Sequence, residues 1–322
     1  MNLKVVTEPI EKELKEFQKR FAQELKSKVA LIDLITKYIH KQKGKQIRPA
    51  LVLLSAQLCG GVTDRSYIAA NMVELLHTAT LIHDDVVDEA AERRGFASIN
   101  AVWKNKAAVL IGDYLLSKGL LIALEGKEFD FLHTTSEAVR RMSEGELLQI
   151  QKARNFDASE ETYFKVISDK TASLIKTCCK LGAMSTTDDE DKIKRLSEFG
   201  ENLGIAFQLQ DDLLDYTGRK KLLGKSPGND VKEKKFTLPL IISLQNAPKG
   251  QSKDIINLVK DKPGKAFEKV YAFVKEYGGL DYTKDKIKEY SGAALQSICV
   301  FPESETKSSL KVLVNFIGER EY

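Results

Sequence analysis

The segment Glu74 to Asp88 reads ELLHTATLIHDDVVD, an apolar run that ends in three acidic residues. Its apolar side chains recur at three- and four-residue spacing, the pattern of an amphipathic helix. Asp84 and Asp88 are four residues apart, so both project from one face near the end of that helix. Magnesium prefers oxygen ligands and is commonly held by one or two carboxylates together with substrate phosphate oxygens. The segment therefore predicts a helix that ends in a magnesium site.

The same acidic spacing occurs a second time, at Asp211-Asp212-Leu213-Leu214-Asp215, after the apolar stretch Leu203 to Leu209. A single acidic string would be weak evidence, since exposed acidic helix ends are common. The repeat is harder to explain as surface charge, because three carboxylates on each of two packed helices repel strongly. Several divalent cations and a polyanionic ligand would complete such a site. The pair of clusters therefore predicts a diphosphate substrate.

Helical spacing of apolar residues continues along nearly the whole chain, and alternating apolar and polar residues between hairpin turns are absent. We predict an all-α fold in which residues 1–322 form one domain, a single large helical bundle around a central cavity. The predicted helices are Pro9–Lys41, Pro49–Cys59, Asp64–Asp88, Ile99–Leu124, Phe131–Arg154, Ser159–Met184, Asp188–Tyr216, Lys234–Gln245, Lys253–Lys260, Pro263–Glu276, Asp281–Cys299 and Glu303–Arg320.

The composition is that of a folded globular protein, since 43% of the 322 residues are apolar. Lys and Arg number 50 and Asp and Glu 46, a net charge of +4. This balance gives no general electrostatic case for binding nucleic acid or an anionic membrane. The cysteines lack the spacing of a metal site or of a disulfide framework, so we expect reduced core thiols. They are Cys59, Cys178, Cys179 and Cys299.

The sequence carries no pattern that predicts export or membrane insertion. Residues 1–28 are rich in charge and contain no continuous apolar stretch, which argues against a secretory signal. The most membrane-like window, Ala107 to Leu124, is interrupted by Asp113 and Lys118, both costly in hydrocarbon. We expect a core helix there, no membrane span, and a cytoplasmic protein.

A diphosphate also needs cationic partners, and Arg and Lys suit phosphate oxygens as a planar fork and a compact charge. Basic residues occur in short motifs, each weak evidence alone because Lys and Arg mostly coat surfaces. The motifs contain Lys45 and Arg48 in GKQIRP, Arg93 and Arg94 before Gly95, Lys170 before Thr171, and Lys225 with Lys235. His77 lies seven residues before Asp84, about two turns away on the same helical face. An isolated histidine is more often a core residue, but this alignment favours a hydrogen bond to phosphate.

Taken together, these strings resemble the trans-polyprenyl diphosphate synthases, which extend allylic diphosphates with isopentenyl diphosphate; the likeness is greatest to the long-chain, octaprenyl type. The resemblance covers roughly residues 40 to 245, in the family's order, and is faint beyond Gln245. Departures are minor: Gln210 stands where the family often has an aliphatic residue, and Lys234 where Gly is usual. The strings that carry it are GKQIRP (44–49), ELLHTATLIHDDVVDEAAERRG (74–95), GDYLLS (112–117), EGELLQI (144–150), DKTASLI (169–175), GIAFQLQDDLLDY (204–216) and GKSPGNDVKEKKFTLPL (224–240).

The resemblance implies an isoprenoid synthase-like bundle and a role for each matched residue. Asp84, Asp88 and Asp211 would bind Mg2+, with three ions present when the allylic diphosphate is bound. Asp85, Asp212, Asp215 and Lys170 would support catalysis, and Asp230 would reach metal through water. The isopentenyl diphosphate would contact Lys45, Arg48, His77 and Arg94. The allylic diphosphate would contact Arg93, Lys170, Thr171, Gln208, Lys225 and Lys235.

The implied reaction is magnesium-assisted ionisation of the allylic diphosphate, condensation with isopentenyl diphosphate and loss of a proton. A class I terpene cyclase also ionises a diphosphate, but its second metal motif differs from Asp211–Asp215. A noncatalytic partner subunit is a further alternative, although such a chain would usually have lost one acidic cluster. A short-chain farnesyl or geranylgeranyl diphosphate synthase is the remaining alternative.

Product length is predicted from Ala79 and Thr80, five and four residues before Asp84 and about one turn deeper along the helix. In relatives that make short products a bulky aromatic residue near these positions closes the tunnel, whereas both side chains here are small. We predict a long-chain product, with Phe131 or Met142 as candidate tunnel floors, although ordinary core packing is the simpler interpretation of each. The resemblance also implies a homodimer, and it allows a peripheral membrane contact for product release.

Overall fold

The structure is a computed structural model that describes residues 4–42, 44, 46–93, 95–155, 159–218 and 227–318, without the side chains of 153–155. Within these residues the chain is almost entirely helical, which confirms the all-α prediction. The exception is a short antiparallel hairpin, in which β1 (Glu92–Arg93) pairs with β2 (Phe96–Ala97). The helices are α1 (Lys4–Thr7), α2 (Glu11–Glu24), α3 (Ala30–Lys41), α4 (Ile47–Cys59), α5 (Asp64–Val87), α6 (Ile99–Glu125), α7 (Phe129–Asn155), α8 (Glu160–Ile167), α9 (Ser173–Met184), α10 (Glu190–Thr217), α11 (Asn229–Lys232), α12 (Leu238–Asn246), α13 (Lys249–Asp261), α14 (Phe267–Glu276), α15 (Gly279–Ser297) and α16 (Glu305–Gly318).

The prediction of one helix over Pro9–Lys41 is wrong, because the chain leaves the helical path between α2 and α3. The hydroxyl of Ser27 accepts a hydrogen bond from the backbone N–H of Val29 at 3.2 Å. Serine side chains that bond the backbone in this way compete with helix continuation. The first long predicted helix is therefore two helices.

Other predicted helices also differ from the observed ones. A π-helical turn, Ser168–Ala172, interrupts the stretch predicted as continuous between Ser159 and Met184. The helix predicted to begin at Lys234 begins instead at Leu238, with Pro239 in its first turn, a position that proline suits. Lys234 itself has a backbone φ of 59°, in the left-handed region that favours glycine. That conformation accounts for the glycine usual at this position in the family that the sequence resembles.

The chain divides into two compact units, each built from three separate segments. The division does not test whether they form one domain, and the single domain stays a prediction. Unit 1 comprises residues 1–137, 177–197 and 301–310, and unit 2 comprises residues 138–176, 198–300 and 311–322. In unit 2 the core is built from apolar faces of α8, α10 and α12 to α15, with Ile167, Leu209, Leu213, Leu240 and Val270 among its buried residues.

In unit 1, α5 packs closely along α6 and against α4. The imidazole of His83 occupies the space beside Gly112, where a Cβ would lie 2.2 Å from its Nε2 atom. Nε2 also lies 3.4 Å from a carboxylate oxygen of Asp113. With glycine at this position, the imidazole can lie directly against the backbone of α6. The contact holds the end of α5, where the first acidic cluster begins.

The cysteines are free, as expected. Cys178 and Cys179 are buried, and burial raises the pKa of the Cys179 thiol to about 12. Cys299 is exposed and Cys59 is partly buried, so the prediction of core thiols is wrong for Cys299.

Candidate active site

The first acidic cluster lies in the last turn of α5 and divides into exposed and buried carboxylates. Asp84 and Asp88 are exposed, whereas Asp85 is 3% exposed. Oδ1 of Asp85 accepts a hydrogen bond from Nε of Arg93 at 2.7 Å and a second from Nη2 of the same residue. Asn100 donates to the backbone carbonyl of Asp85 at 3.1 Å. The buried carboxylate therefore anchors the cluster, and the two carboxylates beside it reach the surface.

The second acidic cluster, near the end of α10, repeats this division. Asp211 is exposed and Asp212 is buried. The hydroxyl of Tyr163 donates to Oδ2 of Asp212 at 2.6 Å, and Nε2 of Gln208 donates to Oδ1 at 2.8 Å. In each cluster, then, the second aspartate is held by polar side chains while the first is exposed.

Asp215 has a different role, because it orders the segment that carries Asp230. Its two carboxylate oxygens accept hydrogen bonds from the backbone N–H groups of Asn229 and Asp230, each at 3.1 Å. These bonds bring the start of α11 to the second acidic cluster. Asp230 is thereby placed among the carboxylates of that cluster.

Two carboxylates at the second cluster, those of Asp212 and Asp230, are poorly solvated and close to other carboxylates. Burial first, and the carboxylates of Asp211 and Asp215 second, raise the pKa of Asp212 to about 7, although hydrogen bonds from Tyr163 and Gln208 favour its charged form. Burial and the carboxylates of Asp212 and Asp215 raise the pKa of Asp230 to about 8. A cation at this position would favour the charged forms. The second cluster therefore fits a divalent metal.

Neither acidic cluster is a closed metal cage. Among the described residues no group of three or more His, Cys, Asp or Glu side chains has the geometry to hold a metal ion by itself. Mg2+ is commonly bound by only one or two carboxylates, with water and substrate phosphate as its other ligands. The exposed Asp84, Asp88 and Asp211 fit that open kind of site.

A cavity of about 160 Å3 in unit 2 brings together most of the residues predicted for the allylic diphosphate. Nζ of Lys170 donates to Oε1 of Gln149 at 2.8 Å and forms an ion pair with Glu146. The hydroxyl of Thr171 donates to Oε1 of Gln208 at 2.9 Å. The polar lining residues are Gln149, Lys152, Ser159, Thr162, Tyr163, Lys170, Thr171, Gln208, Asp212, Asp230, Lys234, Lys235 and Thr237.

Sequence reasoning missed Tyr163, Gln149 and Lys152 in this cavity. Gln149 belongs to the EGELLQI string, so its neighbourhood gave a signal, whereas nothing near Tyr163 indicated a partner on α10. Lys235, predicted to line the allylic diphosphate side, is on the wall of this cavity and also pairs with Glu233 at 2.6 Å.

A second cavity, of about 70 Å3, lies in unit 1 and is lined by His77, Asp85 and Arg93 among other residues. Nη1 of Arg48 lies 2.9 Å from Nε2 of His77. Arginine has no acceptor, so Nε2 must accept and the ring hydrogen must be on Nδ1. Arg93, which the resemblance assigns to the allylic diphosphate, is on the wall of this cavity with His77. Lys45, Arg94 and Lys225 lie outside the described residues.

The candidate chain-length residues occupy different surroundings. Ala79 is buried, and the hydroxyl of Thr80 donates to the backbone carbonyl of His77 at 3.0 Å. Phe131 is fully buried, with its ring centre 5.1 Å from the guanidinium carbon of Arg65. Arg65 is 19 residues before Asp84 on α5, roughly 28 Å along the axis. Met142 is partly buried.

Comparison with known proteins identifies the family. Residues 29–276 match the family model described as polyprenyl synthetase. The chain belongs to the polyprenyl synthetase family. It is therefore a prenyltransferase, which confirms the resemblance on which the predicted reaction rests and removes the terpene cyclase alternative.

Three relatives match this chain over almost its full length. An octaprenyl diphosphate synthase of Haemophilus influenzae is 34% identical over 100% of this chain and 98% of the relative. The crystal structure of a decaprenyl diphosphate synthase from Rhodobacter capsulatus superposes with a TM-score of 0.92, at 31% identity and 98% coverage of both chains. A polyprenyl synthase from Caulobacter crescentus, in complex with calcium and isoprenyl diphosphate, has a TM-score of 0.90 at 30% identity, covering 99% of this chain and 98% of that one. Enzymes of this family use Mg2+ and condense isopentenyl diphosphate with an allylic diphosphate.

Proposed function

We propose that this chain synthesises a long-chain trans-polyprenyl diphosphate from isopentenyl diphosphate and a geranyl or farnesyl primer. The observation that carries the proposal is the repeated arrangement of an exposed aspartate beside a buried, hydrogen-bonded one at positions 84–85 and 211–212. The polyprenyl relatives at 31 to 34% identity support the long product.

Asp84, Asp88 and Asp211 are the proposed magnesium ligands, and three ions act when the allylic diphosphate is bound. Bound magnesium would neutralise the diphosphate as it leaves the allylic carbon. Asp85 and Asp212 hold the exposed ligands in place through their own hydrogen bonds. Tyr163 and Gln208 already donate hydrogen bonds to the two carboxylate oxygens of Asp212. Asp212 therefore acts as an anchor and not as a metal ligand.

The allylic diphosphate would lie against Lys170, Thr171, Gln208 and Lys235 in the cavity of unit 2. The two lysines supply positive charge fixed before the carbon–oxygen bond breaks, and preorganised charge of this kind contributes strongly to catalysis. Apolar wall residues of the same cavity, Val166, Ile167 and Ile241, exclude water that would capture the allylic cation.

Isopentenyl diphosphate would bind Lys45, Arg48, His77 and Arg94. Nη1 of Arg48 lies 2.9 Å from Nε2 of His77, so two of the proposed ligands of this diphosphate are adjacent. The isopentenyl double bond then attacks the allylic cation, and the released diphosphate accepts the proton that is lost. No nucleophilic side chain is needed for these steps.

The homodimer would form through the apolar face of α6. This helix exposes Val109, Leu110, Leu121 and Leu124. Among the described residues, Ile99–Glu125 is the one helix long and apolar enough to cross a membrane, and only 33% of its most apolar window is buried. Core helices of water-soluble proteins pass the same test, so a cytoplasmic dimer that covers this face is the better explanation. A peripheral membrane contact of the same surface for product release is the second candidate.

Product analysis tests the proposed activity. The purified chain would be incubated with farnesyl diphosphate, isopentenyl diphosphate and Mg2+, and the diphosphates would be sized by mass spectrometry. A product well beyond geranylgeranyl diphosphate is expected. Products that stop at farnesyl or geranylgeranyl diphosphate would favour a short-chain synthase, and no turnover without a second protein would favour a partner subunit. Sedimentation at micromolar concentration with a mass of 36.1 kDa, that of one chain, would contradict the dimer.

A further inference from the structure

The turn that carries Lys170 and Thr171 is not an ordinary piece of helix. Ser168–Ala172 forms a single π-helical turn between α8 and α9. Such turns are rare and occur frequently at functional sites, because the extra residue changes where the side chains point. What holds this turn in place therefore decides where Lys170 and Thr171 are presented.

Two glycines on neighbouring helices contact the backbone of the turn. A Cβ on Gly145 of α7 would lie 2.9 Å from the backbone nitrogen of Lys170. A Cβ on Gly204 of α10 would lie 2.6 Å from Cα of Ala172. Both distances are too short for a real side chain, and backbone atoms cannot move aside as a flexible side chain can. The turn is therefore seated between two helices that approach it only because they have glycine at these positions.

Each helix adds a glutamine one turn after its glycine. Gln149, four residues after Gly145, accepts a hydrogen bond from Lys170 at 2.8 Å. Gln208, four residues after Gly204, accepts one from Thr171 at 2.9 Å. Residues four apart lie on the same helical face. The same faces that seat the backbone of the turn thus also orient its two functional side chains.

Arg141, one turn before Gly145, completes the contact from α7. Its Nε donates to Oδ1 of Asp169 at 2.8 Å, and its Nη2 donates to the hydroxyl of Ser168 at 3.1 Å. Asp169 is 8% exposed, so this bond lies in a place where charged hydrogen bonds are strong. Arg141 therefore binds the two residues that precede Lys170.

We infer that Arg141 and Gly145 are positioning residues of the reaction, which act by holding the π-helical turn so that Lys170 and Thr171 meet the allylic diphosphate. The inference rests on the proposed role of Lys170 and Thr171. It assigns no direct substrate contact to Arg141 or Gly145.

The test compares Gly145→Ala with Gly292→Ala, the same change inside another helix, where a Cβ meets nothing within 4 Å. Affinity would be measured by calorimetry, with Mg2+, for isopentenyl diphosphate and for a thiolo analogue of farnesyl diphosphate that does not ionise. Gly145→Ala should lower the affinity for the farnesyl diphosphate analogue by about tenfold or more, since small misplacement of binding groups is costly. Its affinity for isopentenyl diphosphate should not change, and Gly292→Ala should change neither affinity.

Arg141→Lys and Arg141→Met provide a second test that does not depend on a glycine. Lysine keeps the positive charge beside Asp169 but lacks the planar fork by which Arg141 bonds both Asp169 and Ser168, so Arg141→Lys should lose less affinity for the analogue than Arg141→Met. Unchanged analogue affinity in all three variants, or equal losses for both ligands, would overturn the inference. Lys170→Ala distinguishes the proposed role of Lys170 from the positioning role of Arg141 and Gly145. If Lys170→Ala leaves the affinity for the analogue unchanged, the proposed role of Lys170 is wrong. If Lys170→Ala alone loses affinity, only the positioning role is contradicted.

Discussion

The hydroxyl of Tyr163 donates a 2.6 Å hydrogen bond to Oδ2 of Asp212, and both side chains are buried. The two residues are 49 positions apart in the chain, on α8 and α10. The bond favours the charged form of a carboxyl whose pKa burial has raised. Tyr163 thus helps to keep the second acidic cluster ready for a cation.

Tyr163→Phe should lower the free energy of unfolding by about 1–3 kcal/mol, because an oxygen of Asp212 loses a buried partner. The pKa of Asp212 should rise further, so half-maximal activity should need more Mg2+ at neutral pH. Tyr282→Phe is the matched control, since it removes a 2.6 Å hydrogen bond to Glu160, which belongs to neither acidic cluster. Denaturant unfolding and a magnesium titration of the initial rate measure both effects. The same magnesium requirement in the two variants would show that Tyr163 has only a packing role.

The raised pKa values also predict how the metal-free protein depends on pH. Aspartate in an unfolded chain has a pKa of about 3.9, whereas folding raises the pKa of Asp212 to about 7 and that of Asp230 to about 8. Between these limits the folded state holds protons that the unfolded state has released. The free energy of unfolding should therefore fall as pH rises, by up to about 1.4 kcal/mol per pH unit for each proton, until both groups are ionised above about pH 8.

Magnesium should reverse this trend, since a cation bound beside Asp212 and Asp230 favours the charged forms of both. Its stabilising effect should be small at about pH 6 and larger at about pH 8.5. Denaturant unfolding across that range, with chelator or with Mg2+, gives the comparison. Asp230→Asn should flatten the slope of the metal-free protein. A slope equal to that of the wild type in this variant would mean that Asp230 does not hold a proton in the folded state.

Much of this architecture can be predicted from the sequence because it depends on local patterns. Apolar spacing predicts the bounds of α5 and α6 nearly to the residue, but not the kink at Lys104 inside α6. The two acidic strings appear in the sequence as uninterrupted motifs. The spacing does not tell which aspartate of each string is buried, because that depends on the helices packed around it. Asp85 and Asp212 are the buried ones, whereas Asp84 and Asp211 are exposed.

The features that could not be predicted depend on contacts between distant segments. The π-helical turn Ser168–Ala172 contains no proline or glycine that would indicate it in the sequence. The glycines that allow close packing against it are on two other helices, α7 and α10. The bond from Tyr163 to Asp212 has no signal in either segment, because it exists only when α8 packs on α10. At the short break after α2, the hydroxyl of Ser27 bonds the backbone N–H of Val29. The free energy of one such bond is small, so the sequence does not show whether the helix continues or stops there.

Ala79→Tyr tests the proposed path of the growing chain. If Ala79 borders the tunnel, the added ring should shorten the products toward farnesyl or geranylgeranyl diphosphate and leave the first condensation intact. If Ala79 faces packed core instead, overpacking should cost about 1–3 kcal/mol of stability without a specific change in product length. Mass spectrometry of the products together with thermal unfolding separates the two. A stable variant with an unchanged long product would place the tunnel elsewhere.

The most direct measurement is the initial rate of condensation for Asp84→Ala and Asp211→Ala at saturating Mg2+, beside Asp254→Ala as an exposed control on α13. Circular dichroism should show an intact fold for all three, because none of these side chains is buried. We expect the first two variants to lose at least about 100-fold in rate, as for removal of preorganised charge stabilisation, while the control keeps its activity. Near wild-type rates for Asp84→Ala or Asp211→Ala would contradict the assignment of these carboxylates to the metal.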